Sequence, residues 1–106
     1  LSQVAKCFGK YLRPTDFSAR YGGEEFLLIF LDMTSSDILK AAERIRKRVS
    51  ELKLITPSEV ELPLITISLG LTQLKQNEDT REFLKRADRA LYQAKAQGRN
   101  QTVLAP

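Results

Sequence analysis

The chain has 106 residues, of which 42% are hydrophobic and 28% charged, a balance typical of one small globular domain and not of a disordered chain. The formal net charge of +4 suits a phosphate-bearing partner but is too small to indicate nucleic-acid binding. The absence of histidine excludes histidine triads and histidine metal sites, and the single Cys7 excludes an internal disulfide. The longest apolar run is too short to span a membrane, and the N-terminus does not resemble a signal peptide, so we expect a cytoplasmic protein whose segment here makes no membrane contact.

The first part of the chain predicts a helix followed by a hairpin. Apolar residues at helical spacing run from Leu1 to Leu12, and Pro14 ends that helix. Residues 17–21 then predict a strand, Gly22-Gly23 a two-residue turn, and residues 25–31 a second strand. The second strand shows no alternation of apolar and polar residues, which indicates burial on both faces.

The middle of the chain predicts a helix and a strand. Thr34 to Asp37 supply candidate N-cap residues for a helix with an apolar stripe at Ile38, Ala41, Ala42, Ile45, Val49 and Leu52. Residues 56–63 are a loop or a short hairpin arm. Residues 64–71 alternate, with Thr66, Ser68 and Gly70 on one face, where a packed helix or a ligand could lie close.

The last third predicts a helix and a final strand. Asp79 followed by Glu82 resembles a capping box, and Gly98 stands where a left-handed C-cap is wanted. The inward residues of this helix are Phe83, Leu84, Ala87, Ala90, Leu91 and Ala94. Residues 101–104 form the last strand. Hairpins mixed with crossover helices predict an α+β fold, a mostly antiparallel central sheet flanked by helices.

The hairpin tip has the composition of a nucleotide and metal site. Gly22 and Gly23 let a nucleotide approach the backbone, and Glu24 and Glu25 point to opposite faces of the strand. Without histidine, a metal must be held by oxygen, which favours Mg²⁺. The alternative is a charged turn that protects a hydrophobic strand from aggregation.

Three blocks, in order along nearly the whole chain, resemble the GGDEF family of bacteria. Residues 20–26 read Arg-Tyr-Gly-Gly-Glu-Glu-Phe, the GGEEF form of its motif. Residues 65–70 read Ile-Thr-Ile-Ser-Leu-Gly, and residues 86–100 resemble the family's C-terminal helix motif. The resemblance implies the fold of nucleotidyl cyclases and polymerase palm domains, which is ferredoxin-like.

The resemblance also implies a reaction. Members of this type are diguanylate cyclases: two domains, each holding one GTP, meet and form cyclic di-GMP with release of pyrophosphate. By resemblance, Glu24 is a metal ligand and a candidate for deprotonating the 3′-hydroxyl, and Glu25 lies near the second metal or the ribose. Gly22 and Gly23 line the nucleotide site, and the metal is Mg²⁺, with Mn²⁺ able to replace it.

Two cations near the C-terminus match the family's triphosphate-binding residues. Lys95 and Arg99 lie four apart, so on a helix they face the same way and can bind one phosphate chain. The alternative is that a helix end favours cations because of its dipole.

A second site is implied for the product. Arg13 and Asp16 form an Arg-x-x-Asp pattern at the spacing from Gly22 that the family uses for its inhibitory site, and Arg44 matches a further arginine there. By resemblance these residues bind cyclic di-GMP and stop synthesis. The alternative is a surface ion pair between Arg13 and Asp16.

One expected segment has no match in the sequence. The family's first strand and turn, of the form Asp-x-Asp-x-Phe-Lys-x-x-Asn-Asp, supply a metal-binding Asp and the residues that recognise guanine. We therefore interpret residues 1–106 as the C-terminal larger part of a single GGDEF domain, lacking its first strand and inactive alone. We expect it to be unstable alone, or to swap segments with a second copy in a homodimer.

Two other functions are open. The first is a non-catalytic GGDEF module that binds cyclic di-GMP or GTP as a sensor. The second is a structural dimerisation fragment with a generic basic surface.

Overall fold

The computed structural model of the chain describes residue 10, residues 17–20 and residues 26–106. Its elements, in chain order, are β1 (Phe17–Arg20), β2 (Phe26–Ile29), α1 (Ser35–Glu51), β3 (Leu69–Leu71), α2 (Thr80–Ala96) and β4 (Thr102–Leu104). This order confirms the predicted α+β fold. The predicted first helix lies, apart from Lys10, outside the described residues.

The predicted hairpin strands pair as β1 and β2. They are antiparallel, with Phe17 opposite Ile29 and Arg20 opposite Phe26. An uninterrupted ladder closed by a two-residue turn at Gly22-Gly23 would instead pair Arg20 with Glu25. The observed register therefore differs by one residue from the register that the predicted turn requires. The turn itself lies outside the described part of the chain.

Helix α1 supplies the centre of the core. Thr34 caps it, because its side-chain oxygen accepts a hydrogen bond of 3.1 Å from the backbone N–H of Asp37. Ile45 and Val49 are 1% and 0% exposed. The partly buried side chains packed against this pair are Leu28, Phe30, Leu52 and Ile67. The predicted apolar stripe thus holds α1 against the second hairpin strand.

Strand β3 is shorter than predicted. The alternation predicted a strand over residues 64–71, but only Leu69–Leu71 is a strand, and Leu64 is 63% exposed. The reason is pairing, since a strand needs a hydrogen-bonded neighbour and β4 reaches only these three residues. β4 runs parallel to β3, with Leu69 opposite Thr102 and Leu71 opposite Leu104. The segment before β3, described above as a loop or a short hairpin arm, forms a small hairpin with an antiparallel bridge between Ile55 and Glu61.

Helix α2 lies directly on β3. Asp79 caps it by accepting a hydrogen bond of 2.8 Å from the N–H of Glu82. A Cβ added to Gly70 would lie 2.2 Å from the Leu91 nitrogen and 2.5 Å from the Ala87 carbonyl oxygen. Of the two neighbours that the small-residue face could accept, a helix or a ligand, the structure places the helix at Gly70.

Candidate functional site

The acidic hairpin tip is outside the region that the structure describes. Gly22, Gly23, Glu24 and Glu25 all fall in this gap, between the described strands β1 and β2. Their predicted roles as nucleotide-site lining and metal ligands stay predictions. The same holds for Arg13 and Asp16 of the predicted inhibitory site.

A cleft of about 980 Å³ lies between the two strand pairs and the helices. Residues 27–33 form one wall, residues 66–74 another, and α1, α2 and Arg99 supply the rest. Most of its lining is apolar, but Asp88, Lys95 and Arg99 also border it. Its size is at the upper end of the range of about 300–1,000 Å³ for small-molecule sites. Of the lining residues, Lys95 and Arg99 are the ones whose charge attracts an anionic ligand.

Lys95 and Arg99 are brought to this same cleft, by a different geometry from the predicted one. Lys95 lies in the last turn of α2, but the helix ends at Ala96 and is capped by Gln97. Arg99 is therefore not on the helix, and the argument that helical spacing aligns the two cations is wrong. The helix cannot extend through Gly98, because the φ of Gly98 is +122° and a backbone with positive φ does not continue a right-handed helix.

Both cations are exposed, and neither side chain has a hydrogen-bond or ion-pair partner among residues 17–20 and 26–106. By contrast, Lys85 and Arg89 on the same helix pair with Glu82, at 3.7 and 3.9 Å. The helix dipole favours a cation at Lys95, in the last turn, but it does not explain Arg99, which follows the helix. Two cations beside one cleft, without a partner in the described part of the chain, form a place where a phosphate chain can bind.

The turn that carries Arg99 is held by residues that sequence reasoning missed. Arg99 and Asn100 follow Gly98 with φ of +62° and +47°. The Arg46 guanidinium of α1 donates to the Asn100 carbonyl oxygen at 3.3 Å and to its Oδ1 at 2.8 Å. Arg46 also donates to Glu43, at 2.6 Å. The signal available in the sequence was weak: Asn is among the residues that tolerate positive φ, but its partner lies on a distant helix.

The carboxylate of Glu43 links this network to the sheet. It accepts a hydrogen bond of 3.0 Å from the Thr102 hydroxyl at the start of β4. The pKa of Glu43 lies below its ordinary value of 4.5, mainly because Arg46 donates a hydrogen bond to its carboxylate. Glu43 therefore remains ionised near neutral pH and keeps its charge opposite Arg46.

A second arginine, Arg86, fixes the other end of α2. Its guanidinium donates to both carboxylate oxygens of Glu78, at 2.6 and 2.7 Å, and to the carbonyl oxygens of Gln73 and Pro106. Hydrogen bonding to Arg86 is the main cause that lowers the pKa of Glu78 to about 2. This cluster ties the loop before α2 to the C-terminal residue, and we assign it a structural role.

The cation of the predicted inhibitory site that the structure does describe is Arg44. It is exposed on α1, and its side chain has no partner in the part of the chain that the structure covers. Arg44 is thus available to an anion, whereas Arg46, two residues later, is used within the fold.

Metal ligands do not cluster in the described residues: no group of three or more Cys, Asp or Glu side chains there could hold a metal ion. No helix in the same part of the chain is long and apolar enough to cross a membrane.

A family model described as "Diguanylate cyclase, GGDEF domain" matches residues 1–101. The chain belongs to the GGDEF family. The resemblance seen in the three motif blocks is thereby confirmed. The family is one of nucleotidyl-transferring enzymes, and the chain carries its motif in the GGEEF form.

Two relatives show how much of a longer protein the chain matches. It is 42% identical to the response regulator PleD of Caulobacter vibrioides over 97% of its own length, and 35% identical to the diguanylate cyclase DosC of Escherichia coli over 98%. It spans 23% of the first relative and 22% of the second.

Solved GGDEF structures confirm the fold. The GGDEF domain of DgcB from Caulobacter crescentus, in complex with c-di-GMP, superposes with a TM-score of 0.90 at 39% identity. The match covers 95% of this chain and 60% of that one. The active GGEEF domain of a diguanylate cyclase from Vibrio cholerae superposes with a TM-score of 0.82 at 28% identity, covering 100% of this chain and 66% of that one. The fold is therefore the nucleotidyl cyclase palm fold that the motifs implied.

Proposed function

We propose that the full-length protein is a diguanylate cyclase, which condenses two GTP molecules into cyclic di-GMP and releases two pyrophosphates. The observation that carries the proposal is the pair Lys95 and Arg99, two cations without a side-chain partner among the described residues, beside one cleft in a GGDEF-family chain. The intact Gly-Gly-Glu-Glu-Phe motif supports catalysis over sensing, because a sensor need not keep metal ligands.

In this proposal Lys95 and Arg99 bind the triphosphate of GTP. A guanidinium presents paired N–H donors that match two phosphate oxygens, whereas the lysine ammonium acts as a mobile point charge. Arg99 therefore orients the phosphate chain, and Lys95 neutralises it. Both are exposed, so a nucleotide can reach them from solvent.

The acidic hairpin would provide the chemistry. The 3′-oxygen of one GTP forms a bond to the α-phosphorus of the other, the bond from that phosphorus to the bridging oxygen breaks, and pyrophosphate leaves. Glu24 would accept the proton of the 3′-hydroxyl, with Glu25 beside it, while Gly22 and Gly23 leave room for the nucleotide.

The metal fits the donor chemistry of this hairpin. Two adjacent carboxylates, in a chain without histidine, offer the oxygen ligands that Mg²⁺ or Mn²⁺ prefers. When bound, the metal ion neutralises charge on the phosphates. Glu24 and Glu25 are the residues of this chain that would hold it.

The reaction would require a homodimer, because each GTP supplies a 3′-hydroxyl to the other's α-phosphate. We further propose that residues 1–106 are the C-terminal larger part of one GGDEF domain. This boundary is supported by the cleft, which is bordered by β2 and β3, each paired on one side only within the described residues. The single cysteine and the nucleotide substrate support a cytoplasmic location.

The proposal also includes inhibition of the cyclase by its product, cyclic di-GMP. Arg13, Asp16 and Arg44 would bind cyclic di-GMP away from the catalytic hairpin. Support comes from Arg44, an exposed cation without a partner among the described residues, and from the similar DgcB domain, whose structure contains c-di-GMP.

The test is steady-state synthesis of cyclic di-GMP by the full-length protein and its Lys95→Ala and Arg99→Ala variants. Loss of a hydrogen bond to a charged group costs about 1.5–3 kcal/mol, so Arg99→Ala should raise the KM for GTP by about 10- to 150-fold. Lys85→Ala is the matched control, since Lys85 is an exposed cation of α2 that pairs with Glu82 and does not border the cleft.

The outcomes separate the hypotheses. An unchanged KM for Arg99→Ala would contradict the phosphate site. Binding of cyclic di-GMP or GTP without turnover by the folded full-length protein would instead favour the sensor module. A folded protein that binds no guanine nucleotide would favour the structural fragment.

A further inference from the structure

The turn that presents Arg99 is conformationally unfavourable on its own. Gly98, Arg99 and Asn100 have φ of +122°, +62° and +47° in succession. A left-handed backbone is sterically disfavoured for any residue with a Cβ, and Asn is less penalised than Arg. Such a conformation persists only where the surroundings fix it. The contacts that fix this turn therefore decide where Arg99 lies.

The strongest of these contacts come from α1. Arg46 donates to two acceptors on Asn100 with one nitrogen, at 3.3 Å to the carbonyl oxygen and 2.8 Å to Oδ1. On the other side, the Asn100 N–H donates to the Ser68 hydroxyl at 3.1 Å. Asn100, directly after Arg99, is thus held from two sides: by Arg46 of α1 through its two oxygens, and by Ser68 through its N–H.

Arg46 is itself held by hydrogen bonds to Glu43. The Arg46 side chain is 16% exposed. The Glu43 carboxylate accepts a hydrogen bond of 2.6 Å from the Arg46 Nε and one of 3.4 Å from its Nη2. Glu43 is in turn held by the Thr102 hydroxyl. An arginine whose three nitrogens are all used can hold a partner in one orientation, which a lysine cannot do.

We propose that Arg46 is a positioning residue for GTP binding: by holding Asn100, it fixes the left-handed turn that aims Arg99 at the cleft. The inference rests on the proposed role of Arg99 in phosphate binding and adds to it the residue that orders that arginine before substrate arrives. Binding energy that would otherwise be spent on ordering the turn remains available for the ligand.

The test measures GTP affinity and turnover in the full-length protein. Arg46→Ala and Asn100→Ala should each weaken GTP binding, by calorimetric titration, and raise the KM by about fivefold to twentyfold, with kcat at saturating GTP changed less than about twofold. Arg46→Lys should resemble Arg46→Ala, because an ammonium cannot reach Asn100 and Glu43 together. Arg48→Ala, an exposed cation on the same helix, should leave both values unchanged.

A double-mutant cycle separates positioning from general stabilisation. In an Arg99→Ala background, Arg46→Ala should weaken GTP binding no further, because the group it positions is gone. An equal loss in both backgrounds, or a lower Tm with unchanged GTP affinity, would overturn the inference while leaving Arg99 as a phosphate ligand. A wild-type protein that binds no GTP would overturn both this inference and the proposed function.

Discussion

Replacing Gly70 by alanine tests the packing of α2 on β3. The added Cβ would lie 2.2 Å from the Leu91 nitrogen, so the helix must retreat by roughly 1.3 Å to reach an ordinary contact of 3.5 Å. The neighbouring Ala87 oxygen, at 2.5 Å, is also backbone, so no side chain can rotate away. Overpacking of this kind costs about 1–3 kcal/mol, and the severity here places it near the upper end.

A smaller effect opposes this cost. Replacing glycine by alanine restricts the unfolded chain and stabilises by about 0.4–1 kcal/mol. The expected net loss is therefore about 2–2.5 kcal/mol, which lowers Tm by roughly 4–10 °C in a complete GGDEF domain of about 150–200 residues.

Scanning calorimetry of the full-length protein would measure the transition of this domain. Thr66→Ala is the control, since Thr66 belongs to the same alternating set but is exposed, and its replacement should change stability by less than about 0.5 kcal/mol. A Tm for Gly70→Ala within about 2 °C of the wild type would refute the described contact between α2 and β3.

Three further predictions concern Glu78, Asp79 and Arg44. Because Arg86 lowers the pKa of Glu78 from 4.5 to about 2, the unfolded chain binds a proton between these values that the folded chain does not, and this contribution to stability is lost as pH falls through that window. The Tm of the wild type should therefore exceed the Tm of Glu78→Gln by the largest amount above pH 4.5, and this difference should shrink toward pH 2. A difference in Tm that stays constant with pH would contradict the pairing. Asp79→Ala should cost about 1 kcal/mol in denaturant unfolding and Asp79→Asn much less, because asparagine also caps helices; equal losses would contradict the cap. Arg44→Ala should raise the inhibition constant of cyclic di-GMP by about tenfold or more without lowering the initial rate, with Lys40→Ala as the exposed control on α1, and unchanged inhibition would remove Arg44 from the feedback site.

Local patterns predicted most of the fold. Helices α1 and α2 were found from apolar residues at helical spacing and from their caps at Thr34 and Asp79, because both signals depend on neighbours in sequence. The strand predicted over residues 64–71 is longer than the observed one, because the length of a strand does not depend on neighbours in sequence. Alternation states which residues can share a face, but the length of a strand depends on a partner, here β4, that lies elsewhere in the chain.

The sequence motifs suggested candidate site residues but not their geometry. Lys95 and Arg99 were chosen from the motif, and the structure places both at one cleft. The predicted helical alignment failed because the helix ends before Arg99. Arg46 was missed, since its partner Asn100 is far away in sequence and one arginine among many on a basic helix carries no local signal. The acidic hairpin was identified entirely from its motif, and its geometry lies outside the described residues.

The stoichiometry of product formation tests the central claim most directly. Purified full-length protein would be incubated with GTP and Mg²⁺, and nucleotides and pyrophosphate would be quantified together, with Glu24→Ala as the control. The account predicts one cyclic di-GMP and two pyrophosphates for every two GTP consumed, and no product from Glu24→Ala. Folded wild-type protein that binds GTP but yields no cyclic di-GMP, or product formation that persists unchanged in Glu24→Ala, would contradict it.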